Sequence, residues 1–138
     1  MTEDTFPKCI IFDCDGTLVD SEEITNEIIA EMAGELGVKM TGEEATTIFV
    51  GKTLGGVVYK MRELSGNEVP EDWLERLTNK VSMAWKNELN PVEGVRELLQ
   101  SLTIPVCVAS NGAASHVRES LKITGLHDFF KEQIYTGL

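Results

Sequence analysis

Lys8-Cys9-Ile10-Ile11-Phe12-Asp13-Cys14-Asp15-Gly16-Thr17-Leu18-Val19-Asp20-Ser21 changes character abruptly at its middle. The apolar run from Cys9 to Phe12 reads as a strand buried on both faces, as in a parallel sheet. It stops at two carboxylates one residue apart. Acids placed there lie in the crevice beyond the carboxyl ends of the strands, where open α/β sheets bind ligands. Residues i and i+2 of an extended segment point the same way, so Asp13 and Asp15 can face one reacting atom. Gly16 lets the backbone turn without a Cβ clash and leaves room for a ligand near the main chain. Cys14 reads as a packing residue with its side chain turned from that ligand. Asp and Gly also suit an ordinary turn after a strand. A calcium loop of the EF-hand type fails on position: with Asp13 as loop position 1, the glycine position falls on Leu18 and the bidentate glutamate on Ile24.

The chain around this stretch has 138 residues, 42% apolar and 25% charged, enough for one ordinary domain with a real core. Twelve basic against 23 acidic residues give a net charge of -11, which argues against nucleic acid or an anionic membrane as partner. An anionic substrate must then be attracted locally, most simply by a bound cation. No apolar run approaches a membrane span, and Met1-Thr2-Glu3-Asp4-Thr5 lacks the basic and apolar regions of a signal peptide, so the expected location is the cytoplasm. The three cysteines are odd in number. Cys9 and Cys107 fall in expected buried strands, as small core residues rather than parts of a disulfide framework or zinc site.

Taken in order, Asp20 with Glu23 resembles a capping box, and Ile24, Ile28, Met32 and Leu36 recur at helical spacing until Gly37. Thr41 with Glu44 opens a shorter helix ending near Gly51. Residues 53 to 64 read as a third helix, with Leu54, Val57, Val58 and Met61 on one face. Pro70 leads into a long fourth, striped by Leu74, Leu77, Val81 and Trp85 and broken at Asn90-Pro91. Strand and helix then alternate. Val92 to Leu102 is a helix with Val95, Leu98, Leu99 and Leu102 inward. Ile104 to Ala109 is a strand ending in Ser110-Asn111-Gly112, a helix runs from about Ala113 to Ile123, and Ile134 to Thr136 is a third strand. The expected fold is α/β, a parallel sheet whose first crossover carries a helical insertion.

Asp13-Cys14-Asp15-Gly16-Thr17, following its strand, resembles the first motif of the haloacid dehalogenase-like superfamily. Ser110, at the end of the second strand, matches that family's second motif, and the helical insertion resembles its cap. The resemblance implies a Rossmann-like three-layer core from residues 1 to 18 and 90 to 138, with an α-helical cap from 19 to 89. It implies phosphoryl transfer to Asp13 through an aspartyl-phosphate, with Mg²⁺ held by the Asp13 carboxylate and the backbone carbonyl of Asp15. The Asp15 side chain is then the general acid and base, and its presence points to phosphate esters. A hydroxyl at Ser110 with the N–H groups of Asn111 and Gly112 near a helix N-terminus suits phosphate oxygens. Lys52, beside Gly51, either reaches toward an anionic substrate or is a solvated surface lysine.

Among capped relatives the chain is similar both to β-phosphoglucomutase and to sugar-phosphate phosphatases of the 6-phosphogluconate type. The mutase's cap histidine and arginine correspond to Thr25 and Leu54, so hydrolysis is favoured and a small phosphorylated metabolite is the expected partner. His116 and His127 have no partner pattern and read as helix-surface or helix-end residues, and Trp73 and Trp85 as cap core. The family's third motif, a lysine, and fourth, an acidic pair, have no counterpart up to Leu138. The expectation is therefore a part of a longer enzyme, with a Mg²⁺- or phosphate-binding module as the competing possibility. An unpaired sheet edge at the first strand, with uncovered apolar surface, makes oligomer formation a further expectation.

Overall fold

The computed structural model describes residues 6 to 137. They divide into two compact units, one formed by the residues up to Asp20 and from Leu89 onward, the other by Ser21–Glu88.

The first unit holds a three-stranded parallel sheet in the order β1-β2-β3, with β1 Ile10–Phe12, β2 Val106–Ser110 and β3 Ile134–Thr136. Helix α5 (Val95–Ser101) precedes β2, while α6 (Ala114–Ile123) and the four-residue α7 (His127–Phe130) connect β2 to β3. The short α7 is absent from the sequence expectation. Its Phe130 is buried and meets the ring of Phe12 edge-on, with centroids 5.9 Å apart.

Parallel strands laid down in one direction by right-handed crossovers receive all their crossover helices on one face. Val108, Val117, Leu121, Leu126, Phe130 and Ile134 form a core on that side. The opposite face carries Ile11, Ala109 and Tyr135, with Ile11 68% and Tyr135 56% exposed. This corrects the expectation of a first strand buried on both faces: the described residues supply two of the three layers, Cys9 is exposed, and Cys107 is half-buried. Leu98, expected inward on α5, is 45% exposed. β1 lies at the sheet edge, as expected.

A short neck closes the place where the helical insertion leaves the sheet unit. The Asp20 N–H donates to Asn90 O (2.9 Å), the Val92 N–H to Leu18 O (3.0 Å), and Val19 bridges Pro91 antiparallel. That pairing draws Asp20 into the neck and corrects the expected capping box: α1 starts at Glu22 with Ser21 as N-cap, and no side chain caps it.

The second unit is all helical: α1 Glu22–Gly34, α2 Gly42–Phe49, α3 Leu54–Ser65 and α4 Trp73–Glu88. Its core contains Ile29, Met32, Phe49, Met61, Leu77 and Val81, with Trp73 and Trp85 buried as expected. The Trp73 indole N–H donates to Met32 O at 3.4 Å, tying α4 to α1. On α1 the buried stripe is Ile29, Met32 and Ala33, while Ile24, Ile28 and Leu36 are half-buried. At the start of α2, Thr41 accepts from the Glu44 N–H (3.1 Å), and Glu44 accepts from the Thr41 N–H (2.8 Å), a complete capping box. Among the described residues no helix is long and apolar enough to cross a membrane.

Candidate active site

Adjacent parallel strands bring the loops at their carboxyl ends together, and that places Asp13 beside Ser110. Asp13, Ala109, Ser110, Asn111, Tyr135, Thr136 and Gly137 line one cleft of about 430 Å³. All lie in the sheet unit, beyond β1, at the end of β2, and at the end of β3. Tyr135, Thr136 and Gly137 were not singled out from sequence, although the end of a third strand registered with the second is where a further cleft wall belongs.

The loop after β1 is wound around one carbonyl. The N–H groups of Thr17, Leu18 and Val19 point to Cys14 O at 3.1, 2.8 and 3.3 Å, and the Gly16 N–H closes on Val19 O at 2.9 Å. Gly16 sits at φ 74°, a left-handed conformation that a side chain would strain. The turn leaves Asp13 and Asp15 exposed, whereas Cys14 is completely buried with its Sγ 3.5 Å from Ser120 Oγ. Burial above all, then the neighbouring Asp15 and Asp13 charges, raise the Cys14 thiol to about 12 against the lowering effect of its Ser120 bond. It stays a neutral packing group.

Asp13 is oriented by its own loop, because the Cys14 N–H donates to Asp13 Oδ1 at 2.8 Å. A carboxylate held by one oxygen presents the other. Ser110 is likewise oriented: its Oγ accepts from the Gly112 N–H at 3.1 Å. The expected cradle changes accordingly, since the Gly112 N–H is engaged with the hydroxyl. That bond uses an acceptor site on Ser110 and leaves the hydroxyl proton to be donated. A Cβ built on Gly112 would stand 3.4 Å from Ser110 Oγ and 3.8 Å from Asp15 Oδ2, so the second acid is also at this turn. Asn111 is exposed on the cleft wall. Lys52 is exposed in the helical unit, between α2 and α3.

The donors here are all oxygen: two carboxylates, a hydroxyl and loop carbonyls. That set suits Mg²⁺, which keeps several waters and takes one or two protein carboxylates together with substrate phosphate. Among the described residues no group of three or more His, Cys, Asp or Glu side chains gathers into a complete cage. His116 lies on α6 and His127 begins α7.

The sequence model described as haloacid dehalogenase-like hydrolase matches residues 10 to 137. The chain is 32% identical over 132 residues to 6-phosphogluconate phosphatase of Escherichia coli K12, covering 94% of this chain and 59% of that protein. It is 33% identical over 135 residues to phosphoglycolate phosphatase of Pseudomonas syringae pv. syringae, covering 91% and 49%. A crystal structure of a hydrolase of the same family from Deinococcus radiodurans, with bound phosphate and sodium, superposes with TM-score 0.71 at 26% identity, over 94% of this chain and 57% of that one. The chain thus spans about half to three-fifths of the length of these curated relatives.

Proposed function

Because the chain belongs to the haloacid dehalogenase-like hydrolase family, we propose that it carries the nucleophile and phosphate site of a Mg²⁺-dependent phosphatase acting on a small phosphate monoester, in the cytoplasm. The observation that carries this reading is the shared cleft of Asp13 and Ser110, each with one oxygen already held by a loop N–H. Two phosphatases among its relatives support hydrolysis; one is named for a sugar acid phosphate and the other for phosphoglycolate, and a sugar phosphate is the substrate class we favour.

The free oxygen of Asp13 attacks phosphorus, and the bond from phosphorus to the ester oxygen breaks. Asp15, entering the step protonated, gives its proton to the departing alkoxide and leaves a carboxylate behind. The product on the protein is an aspartyl-phosphate at Asp13. Asp15 then takes a proton from the attacking water, whose oxygen displaces Asp13 from phosphorus and restores both acids. Ser110 and the N–H of Asn111 bind and orient the phosphate oxygens through both steps. The Asp13 carboxylate and the Asp15 carbonyl would hold Mg²⁺, which would supply charge neutralisation for the anionic substrate. By the resemblance drawn from sequence, Thr25 and Leu54 correspond to a histidine and an arginine of the sugar-phosphate mutases, which favours water as acceptor. Lys52 is proposed as a contact for the anionic substrate.

The test is Mg²⁺-dependent phosphate release from a panel of sugar phosphates and phosphoglycolate, with Asp13→Asn alongside. Release that vanishes in the variant is expected. No release above the variant, with no Mg²⁺-dependent binding of beryllofluoride by the parent chain, would instead mark a binding module without a competent nucleophile.

A further inference from the structure

Gly112 occupies the turn between β2 and α6, and its backbone is not in the left-handed region, so no conformational need for glycine explains it. The need is spatial. A Cβ there would stand 3.2 Å from Val117 Cγ2, 3.4 Å from Ser110 Oγ and 3.8 Å from Asp15 Oδ2. Val117 is buried on α6 and cannot move outward freely. A Cβ at position 112 would crowd the Val117 methyl while meeting Ser110 Oγ and Asp15 Oδ2 at ordinary contact distance, so relief of that crowding moves it toward the cleft groups. The same residue supplies the N–H that orients the Ser110 hydroxyl.

We propose that Gly112 is a positioning residue of the phosphate site: its missing side chain lets the turn close on the Ser110 hydroxyl and keeps Asp15 beside it. This rests on the phosphate-site reading above. A methyl at 112 tilts the hydroxyl off its phosphate-facing direction, and a larger side chain also displaces the Asp15 carboxylate. Neither effect requires contact between residue 112 and substrate.

The experiment compares the parent chain with Gly112→Ala, Gly112→Val, Val117→Ala and the double variant Gly112→Ala/Val117→Ala. Calorimetric binding of inorganic phosphate in the presence of Mg²⁺ is measured beside Tm. Loss of one well-aimed hydrogen bond to a charged ligand corresponds to about a tenfold weaker phosphate Kd, which is the change expected for Gly112→Ala. Gly112→Val should weaken binding further. Removing the Val117 methyls gives the new Cβ room on the core side, so the double variant should regain affinity while its Tm falls below that of Gly112→Ala. A merely structural role moves the two quantities together and gives no such crossing. Parental affinity in Gly112→Ala, or affinity that follows Tm through all five proteins, overturns the positioning role alone. No phosphate binding by the parent chain overturns the phosphate site, and this inference with it.

Discussion

Ser110 has an acceptor site filled and its proton free, and this makes it the side chain whose removal is most readily interpreted. Ser110→Ala should weaken phosphate binding about tenfold, by loss of a hydrogen bond to an anion, while Ser110→Thr keeps it; calorimetry on the two variants checks this. Cys14 stays neutral, as its burial and its position between two acids both favour. Burial raises its thiol to about 12, so the protonated form is what the fold stabilises. An unfolded cysteine ionises near its ordinary value of 9.0. The native advantage is therefore complete below that value and is lost as pH rises toward the folded one. Stability should fall on the alkaline side for this reason, and Cys14→Ser should flatten that fall in denaturant titrations at graded pH. At pH 8, mass spectrometry after iodoacetamide should find Cys9 modified well before Cys14. Alternation along an extended segment made the inward turn of Cys14 readable from sequence. The bond that engages the Gly112 N–H was not, because Ser-Asn-Gly after a strand suits a turn as well as a cradle.

Among the elements, the two expected capping boxes had different outcomes. Thr41 and Glu44 close theirs completely, and Thr41→Ala should cost about 1 kcal/mol in chemical denaturation. Asp20 is held in the neck by its backbone and caps nothing through its side chain, so Asp20→Ala should stay within about 0.5 kcal/mol. Both patterns place a polar residue three before a glutamate. What separates them is a strand-like partner many residues away, Asn90, and no local signal reports that. The third strand and most of the α4 stripe were legible: Leu77, Val81 and Trp85 are buried as expected, while Leu74 is half-buried and Trp73 is buried beside it. The stripe on α1 slipped by a residue, since its apolar positions outnumber those that the neighbouring helices cover.

For the molecule as a whole, the sheet unit has one apolar face with nothing over it among the described residues. Ile11 and Tyr135 contribute most of that surface, next to an open strand edge at β1. Such a surface promotes association. We propose that copies of the chain associate through it, and Ile11→Lys should shift light-scattering mass toward the monomer relative to the parent at equal concentration. A run such as Ile10-Ile11-Phe12 carries no information on which face will be covered. That depends on how many crossovers arrive on each side, a property of topology rather than of the strand.

The neck of Leu18, Val19 and Asp20 with Asn90, Pro91 and Val92 carries a consequence for descent as well as for folding. An insertion whose two ends are clasped side by side, Asp20 to Asn90 and Leu18 to Val92, enters and leaves its host through adjacent residues. The helical unit can therefore lengthen, shorten or be exchanged as a cassette while the sequence on either side stays fixed. Variation in such a lineage should accumulate between the clasped ends, and a graft at that seam is the natural way to pair the same sheet unit with a different helical one.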